Sequence, residues 1–147
     1  MPCPIWDRKN WPIVREAYAK IFDAANENWD FSDDEDFMRL AAFVAARDFQ
    51  IVKGRDWLLN RMASDDEKVA LRAIQSLGDT YYMRQPIYPE LLAAVEPHLA
   101  SDNPKFRAAA IYTIGVYQGD TVPPLLMKAF ADPDKQVWQT AGRRLAD

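Results

Sequence analysis

Apolar residues recur along this chain at helical spacing, and the recurrence comes in blocks. The clearest block runs from Ser101 to Gly115, reading Ser-Asp-Asn-Pro-Lys-Phe-Arg-Ala-Ala-Ala-Ile-Tyr-Thr-Ile-Gly. Phe106, Ala110, Ile111 and Ile114 share one helical stripe. Asn103 suits the N-cap, and Pro104 suits the first helical position, where its missing N–H costs nothing. Gly115, and Gly78 in the block before it, are expected to stop their helices in a left-handed conformation.

Versions of this block occur three more times. Val69, Phe106 and Val137 align, then Ala73, Ala110 and Ala141, then Leu77, Ile114 and Leu145, while Met38, Ala42 and Ala46 take these places in the first block. The blocks open at Asp33, Ser64, Ser101 and Asp132, spaced by 31, 37 and 31 residues. Ser32-Asp33-Asp34-Glu35 and Ser64-Asp65-Asp66-Glu67 read as capping boxes, and Asp132-Pro133 as the cap of the last helix.

A second apolar segment precedes each block. Ile13, Val14, Ala17, Tyr18, Ile21, Phe22 and Ala25 form a stripe between Pro12 and about Asn28. Trp57, Leu58, Leu59 and Met62 lie on a short helix over about Asp56–Ala63, set off from the first pair by Gly54. A third helix runs from near Pro89 to Ala100 with a kink expected at Pro97, and Pro123-Pro124 opens a fourth ending at Ala131. The pattern predicts an all-α protein of about eight helices in antiparallel pairs, stacked as a short α-solenoid (an α-α superhelix). Its four units are about 12–49, 54–78, 87–117 and 121–147, with 1–11 as an N-terminal cap.

Asp132-Pro133-Asp134-Lys135-Gln136-Val137 and Asp33-Asp34-Glu35-Asp36-Phe37-Met38-Arg39 resemble the second helix of short HEAT-like repeats. Repeats of this type occur in phycobilin lyases and in many small bacterial scaffold proteins. The resemblance spans about residues 12–147. It implies second helices lining a concave face, and protein binding as the commonest activity. Arg39 and Arg107 hold the place where such repeats usually carry arginine after the buried aliphatic; Ala70 and Trp138 replace it in the other two units.

Projected on that architecture, Lys68, Arg72, Gln75, Lys105, Tyr112, Gln136 and Arg143 point toward the groove. The connection from Asp79 to Pro89 concentrates Tyr81, Tyr82, Met83, Ile87 and Tyr88, either as a recognition element or as a staple between the second and third units. Trp6, Trp11, Trp29 and Trp57 read as core or end-cap residues, whereas Trp138 sits where a partner could reach it.

Charge adds a gradient. Residues 1–48 carry 10 acids against 6 bases, and residues 101–147 carry 5 against 6, within a net charge of −4. The acids include Glu27, Asp30, Asp33, Asp34, Glu35 and Asp36, more than a helix start needs for its dipole, which suggests a docking patch for a basic partner. A chain of this charge repels a polyanion, so nucleic acid is not expected as a partner. No apolar run approaches the roughly 20 residues needed to cross a bilayer, so no membrane partner is expected either. One cysteine, Cys3, fits a reducing compartment, and the chain is expected to be cytoplasmic.

Catalytic motifs are sparse. A single histidine, His98, rules out a His-Glu-x-x-His zinc site and the multi-histidine di-iron sites of HEAT-repeat hydroxylases. No phosphate loop or Gly-x-Ser-x-Gly elbow occurs, and no metal or cofactor is expected. The leading expectation is a non-catalytic scaffold or inhibitor, such as an adaptor or an immunity protein neutralising a basic toxin or effector. The alternative is a HEAT-like enzyme: a bilin lyase-like protein, or a DNA glycosylase in which Trp138, Arg143 and Asp147 line the site.

Overall fold

The computed structural model describes residues 9–28, 35–47, 52–80 and 86–146. They form α1 (Trp11–Asn28), α2 (Glu35–Arg47), α3 (Val52–Met62), α4 (Glu67–Gly78), α5 (Pro89–Val95), α6 (Pro104–Ile114), α7 (Val122–Phe130) and α8 (Lys135–Ala146). At Glu96 the path of α5 tightens into a 3-10 turn, Glu96–Ala100, where Pro97 removes a backbone donor. The fold is an all-α solenoid, and no strand occurs among the described residues.

One local device starts the last three units. Ser64 Oγ, Ser101 Oγ and Asp132 Oδ1 each accept from the N–H two residues on, at 3.1, 3.2 and 2.8 Å. Those second residues are the actual N-caps. Asp66 accepts from Lys68 and Val69, Asn103 from Lys105, and Asp134 from Gln136 and Val137. The caps are therefore Asp66 and Asp134, not Ser64 and Asp132, because the earlier side chain is occupied in shaping the turn. The box at Ser32–Glu35 falls largely outside the described residues.

Packing follows the register. Ala73, Ala110 and Ala141 are fully buried, as are Leu77 and Ile114, and small side chains at the aligned alanines let consecutive second helices approach closely. Thr113 Oγ1 reaches across to the Ile74 carbonyl at 2.7 Å, and Arg144 Nε donates to the Tyr112 carbonyl at 3.2 Å. The second helices α2, α4, α6 and α8 form a continuous ladder, whereas the first helices touch one another little.

Three glycines do other work than expected. Gly115 is right-handed (φ −66), and Gly119, in the turn after α6, is the one described glycine with positive φ. At Gly78 a Cβ would lie 2.5 Å from the Tyr112 ring, and at Gly115 2.6 Å from Arg144 Cγ. Both are close-approach positions rather than left-handed stops. Gly54 lies inside α3, not between pairs, and admits the ring of Phe22, whose Cε2 would be 2.8 Å from a Cβ there.

The first pair also departs from its reading. In α1 the inward line is Phe22 with half-buried Tyr18 and Val14, while Ile13 (71% exposed), Ala17 and Ile21 (43% exposed) face outward. Arg39 Nε in α2 lies 4.0 Å from Asp79 Oδ2 beyond the end of α4. Ala70, the register mate of Arg39, is nine residues before Asp79, about 13 Å along a helix axis. Strict alignment in that register would keep these side chains apart, so α2 does not repeat against α4 the register of the later second helices.

The described ends of the 79–89 connection act as a staple. Buried Thr80 donates to the Leu77 carbonyl at 2.7 Å and sits 3.1 Å from the Tyr117 hydroxyl. Tyr88, half-buried, sends its hydroxyl to the Arg47 carbonyl at 3.4 Å, and Ile87 packs on the core. Tyr81, Tyr82 and Met83 lie outside the described residues.

Candidate functional site

The register builds two rungs across α4, α6 and α8. Lys68, Lys105 and Gln136 occupy one, and Gln75, Tyr112 and Arg143 the other. Seven residues separate the rungs on each helix, so both fall on the same side of the layer. Lys68, Gln75, Lys105, Gln136 and Arg143 are exposed, whereas Arg72 and Tyr112 are half-buried.

Cross-repeat contacts hold this face in one arrangement. Lys105 Nζ lies 3.4 Å from Glu67 Oε1, an exposed pair that orients more than it stabilises. The Tyr112 hydroxyl donates to Asp79 Oδ1 at 2.6 Å, and the Arg144 guanidinium lies over the same ring, 4.2 Å from its centroid. Burial, and then the Asp79 carboxylate, raise the Tyr112 pKa, so the phenol stays a donor through the physiological range. The face thus offers ammonium, guanidinium, amide and phenol groups from three successive repeats.

Behind it, Arg107 ties two units together. Its Nε and Nη2 donate to Asp132 Oδ2 and Oδ1 at 2.9 and 3.0 Å, and Nη1 donates to the carbonyls of Ser101 and Asp102. This is a bidentate fork with both Nη1 donors also used. The fork lowers the Asp132 pKa, so its stabilising effect is present above the ordinary carboxylate value of about 3.9 and is lost as pH falls through the lower folded value. Asp132→Asn should therefore lower the thermal midpoint at pH 7, and the gap to wild type should close on acidification. Equal midpoints at pH 7 would show that the fork contributes nothing.

Arg39, at the equivalent place in α2, meets Asp36 at 3.4 Å instead. A cavity of about 220 Å³ beside the fork is walled by Leu99, Ile111, Leu125, Ala129 and Val137, with the committed Arg107–Asp132 pair on its edge. His98 stacks on Phe106 (centroids 5.2 Å apart), and partial burial lowers its pKa. Both features are packing between repeats.

Of the residues assigned to partner binding from sequence, Arg72, Gln75, Lys105, Tyr112 and Arg143 lie on the second helices that form the rungs. Tyr88 is a packed staple residue. Trp138 is off the rungs: it shares the register of Ala70 and Arg107 and meets Phe130 edge-on, with ring centroids 6.3 Å apart. Asp36 is exposed at the start of α2, Glu35 begins that helix, and Asp33 and Asp34 lie outside the described residues. The sequence pattern gives Glu67 only a capping-box place and Asp79 only the start of a connection, and it assigns Arg144 no role. The available signal was their position beside residues that have one, with Asp79 next to Gly78 and Arg144 next to Arg143.

Among the described residues no group of three or more His, Cys, Asp or Glu is placed to hold a metal ion, and no helix is long and apolar enough to cross a membrane. A family model described as HEAT repeats matches residues 55–146. No curated protein and no solved structure matches the chain. The matched segment starts within α3 and takes in α4–α8, so α1 and α2 fall before it.

Proposed function

The chain belongs to the HEAT-repeat family, and we propose that it is a non-catalytic protein-binding scaffold whose second-helix face docks an acidic segment of one partner. The observation that supports this reading is the pair of rungs, built from equivalent positions of three repeats and braced by Tyr112–Asp79 and Arg144–Tyr112 contacts. A braced face loses little side-chain freedom when a partner lands on it, and this lowers the entropic cost of binding. Lys68, Arg72, Lys105, Arg143 and Arg144 outnumber Glu67 and Asp79 there, so acidic segments are attracted and nucleic acid is left to proteins with denser positive charge.

A second reading uses the opposite end. Residues 1–48 carry the chain's acidic excess, which suits an inhibitor or immunity role against a basic toxin or effector. In either case we place the protein in the cytoplasm, away from membranes, in keeping with its single cysteine.

The test uses a photo-crosslinking amino acid at Gln75 or Gln136, with Glu90 on α5 as the control position, in the native host. The rung positions should label one protein, and Lys68→Glu with Arg143→Glu should cut its capture at least about tenfold, or about 1.4 kcal/mol. Equal labelling from Glu90, or capture indifferent to the charge reversals, would sink the proposal.

A further inference from the structure

The arginine that ties the third unit to the fourth has no counterpart one joint earlier. Buried Ala70 holds the place of Arg107 in the second unit, and Ser101 holds the place of Asp132 in the third. The joint between the second and third units therefore lacks both halves of the fork. A hollow of about 270 Å³ lies there, with buried Met62 and Ala70 in its wall and half-buried Ser64, Ser101, His98 and Phe106 around them. It is the register mate of the cavity beside the fork. Shifted by the unit spacings of 37 and 31 residues, Met62 falls on Leu99, Ala70 on Arg107, His98 on Ala129, Ser101 on Asp132 and Phe106 on Val137. All of these counterparts line that cavity.

In the filled joint the guanidinium is met by groups that the chain supplies again one unit earlier. Arg107 Nη1 donates to the carbonyls of Ser101 and Asp102, in the turn shaped by the Asn103 N–H on Ser101 Oγ. The turn before α4 is built the same way, with the Asp66 N–H on Ser64 Oγ, so the Ser64 and Asp65 carbonyls take up the equivalent positions. Among the described residues no side chain donates to either of them. Ser101 adds a hydroxyl where Asp132 offers a carboxylate. The His98 ring, stacked on Phe106 with the planes 17° apart, gives a flat aromatic wall of the kind a planar guanidinium lies against. Partial burial lowers the His98 pKa, so this wall stays largely uncharged at pH 7. Asp65 and Asp102 are exposed at the two turns and favour a cation, while Lys105 is engaged by Glu67.

We propose that this hollow binds a guanidinium group from outside the chain, in the place where the next joint holds its own arginine. The group is carried by the arginine side chain of a partner or by a small guanidinium compound. A planar cation with donors along its edges reaches the two carbonyls and the Ser101 hydroxyl together, whereas an ammonium has no flat face to lay on the ring. None of the rung residues takes part, so this inference is independent of the partner proposed for the second-helix face.

The single histidine makes the test direct, since the imidazole proton resonances belong to His98 alone. Methylguanidinium titrated into the full chain at constant pH and ionic strength should move them saturably, with a dissociation constant on the order of 1–10 mM for so small a ligand. Methylammonium should not. Ala70→Arg should abolish the response, because the chain's own guanidinium then fills the hollow. Thermal midpoints near wild type verify folding, and Ala70→Met closes the same space if Ala70→Arg unfolds. Ser101→Asp keeps the turn, as Asp132 does by accepting from the Asp134 N–H, and should tighten binding about tenfold by restoring the charged half of the fork. N-acetylarginine amide separates the two sources: tighter binding than methylguanidinium assigns the hollow to a partner's arginine, and weaker binding assigns it to a free compound. No saturable shift of wild type up to about 50 mM, several times the expected constant, overturns the proposal. So does an equal shift with methylammonium, the mark of general cation attraction. A response that survives closing the hollow at position 70, or that Ser101→Asp leaves unchanged, overturns it as well.

Discussion

Leu77→Ala should destabilise the protein by about 2–5 kcal/mol, while Leu145→Ala, at the equivalent place two units on, should cost less than about 1 kcal/mol. The residues share a type, a register and a position near the C-terminal end of a second helix. They differ in what covers them. Leu77 is fully buried within the core, so truncation leaves a cavity that the neighbouring helices cannot fill. Leu145 is 40% exposed, and water takes the place of the lost methyls. For a chain of this size each kcal/mol moves the thermal midpoint by about 2–4 °C, so Leu77→Ala should lower it by roughly 5–15 °C. Equal losses at the two positions would mean that the outer face of α8 is covered.

The periodicity makes this comparison readable in the sequence. Ala73, Ala110 and Ala141 recur because consecutive second helices must pass close together, and a one-letter chain records that need directly. Aligned Val69 and Val137 are buried for the same reason. The lines from Lys68 to Gln136 and from Gln75 to Arg143 were legible too, since seven-residue spacing fixes a shared face.

What the chain did not disclose depends on competition between neighbouring groups, or on distance in sequence. Ser64 and Asp66 can both cap a helix, and only the fold shows that the serine is taken up by the Asp66 N–H. A glycine ending a helical run serves a left-handed turn and a tight helix crossing equally well in one letter. Gly78 and Gly115 prove to be the second kind. The bracing of Tyr112 by Asp79 spans 33 residues, and the Arg107–Asp132 fork spans 25. Neither pairing is implied by local pattern. The departure of α2 from the common register is hidden as well, because Met38, Ala42 and Ala46 keep the apolar pattern and are all buried regardless.

Gly78→Ala should cost about 1–3 kcal/mol even though alanine favours a helix over glycine by about 0.5–1 kcal/mol. The added methyl would meet Tyr112 Cδ1 at 2.5 Å and Thr113 Cα at 3.0 Å. Neither obstacle is free to retreat. The ring is held by its hydroxyl on Asp79 and by Arg144 stacked above it, and the Thr113 side chain donates to the Ile74 carbonyl. Relief therefore requires α4 and α6 to move apart, loosening the contact that aligns the two rungs. Gly115→Ala makes an informative comparison. A methyl there would meet Arg144 Cγ at 2.6 Å and Arg144 Cβ at 2.7 Å, and Cβ is fixed by the backbone of α8, so this change should also cost about 1–3 kcal/mol, here by pressing α6 against α8. Urea denaturation of both variants, with Tyr112→Ala added to Gly78→Ala, separates the causes. Removing the ring should restore part of the Gly78→Ala loss as a positive coupling between the sites. If Gly78→Ala instead matched or exceeded wild type, α4 and α6 would have room to spare. The rungs would then be too loosely set to act as a prearranged docking surface.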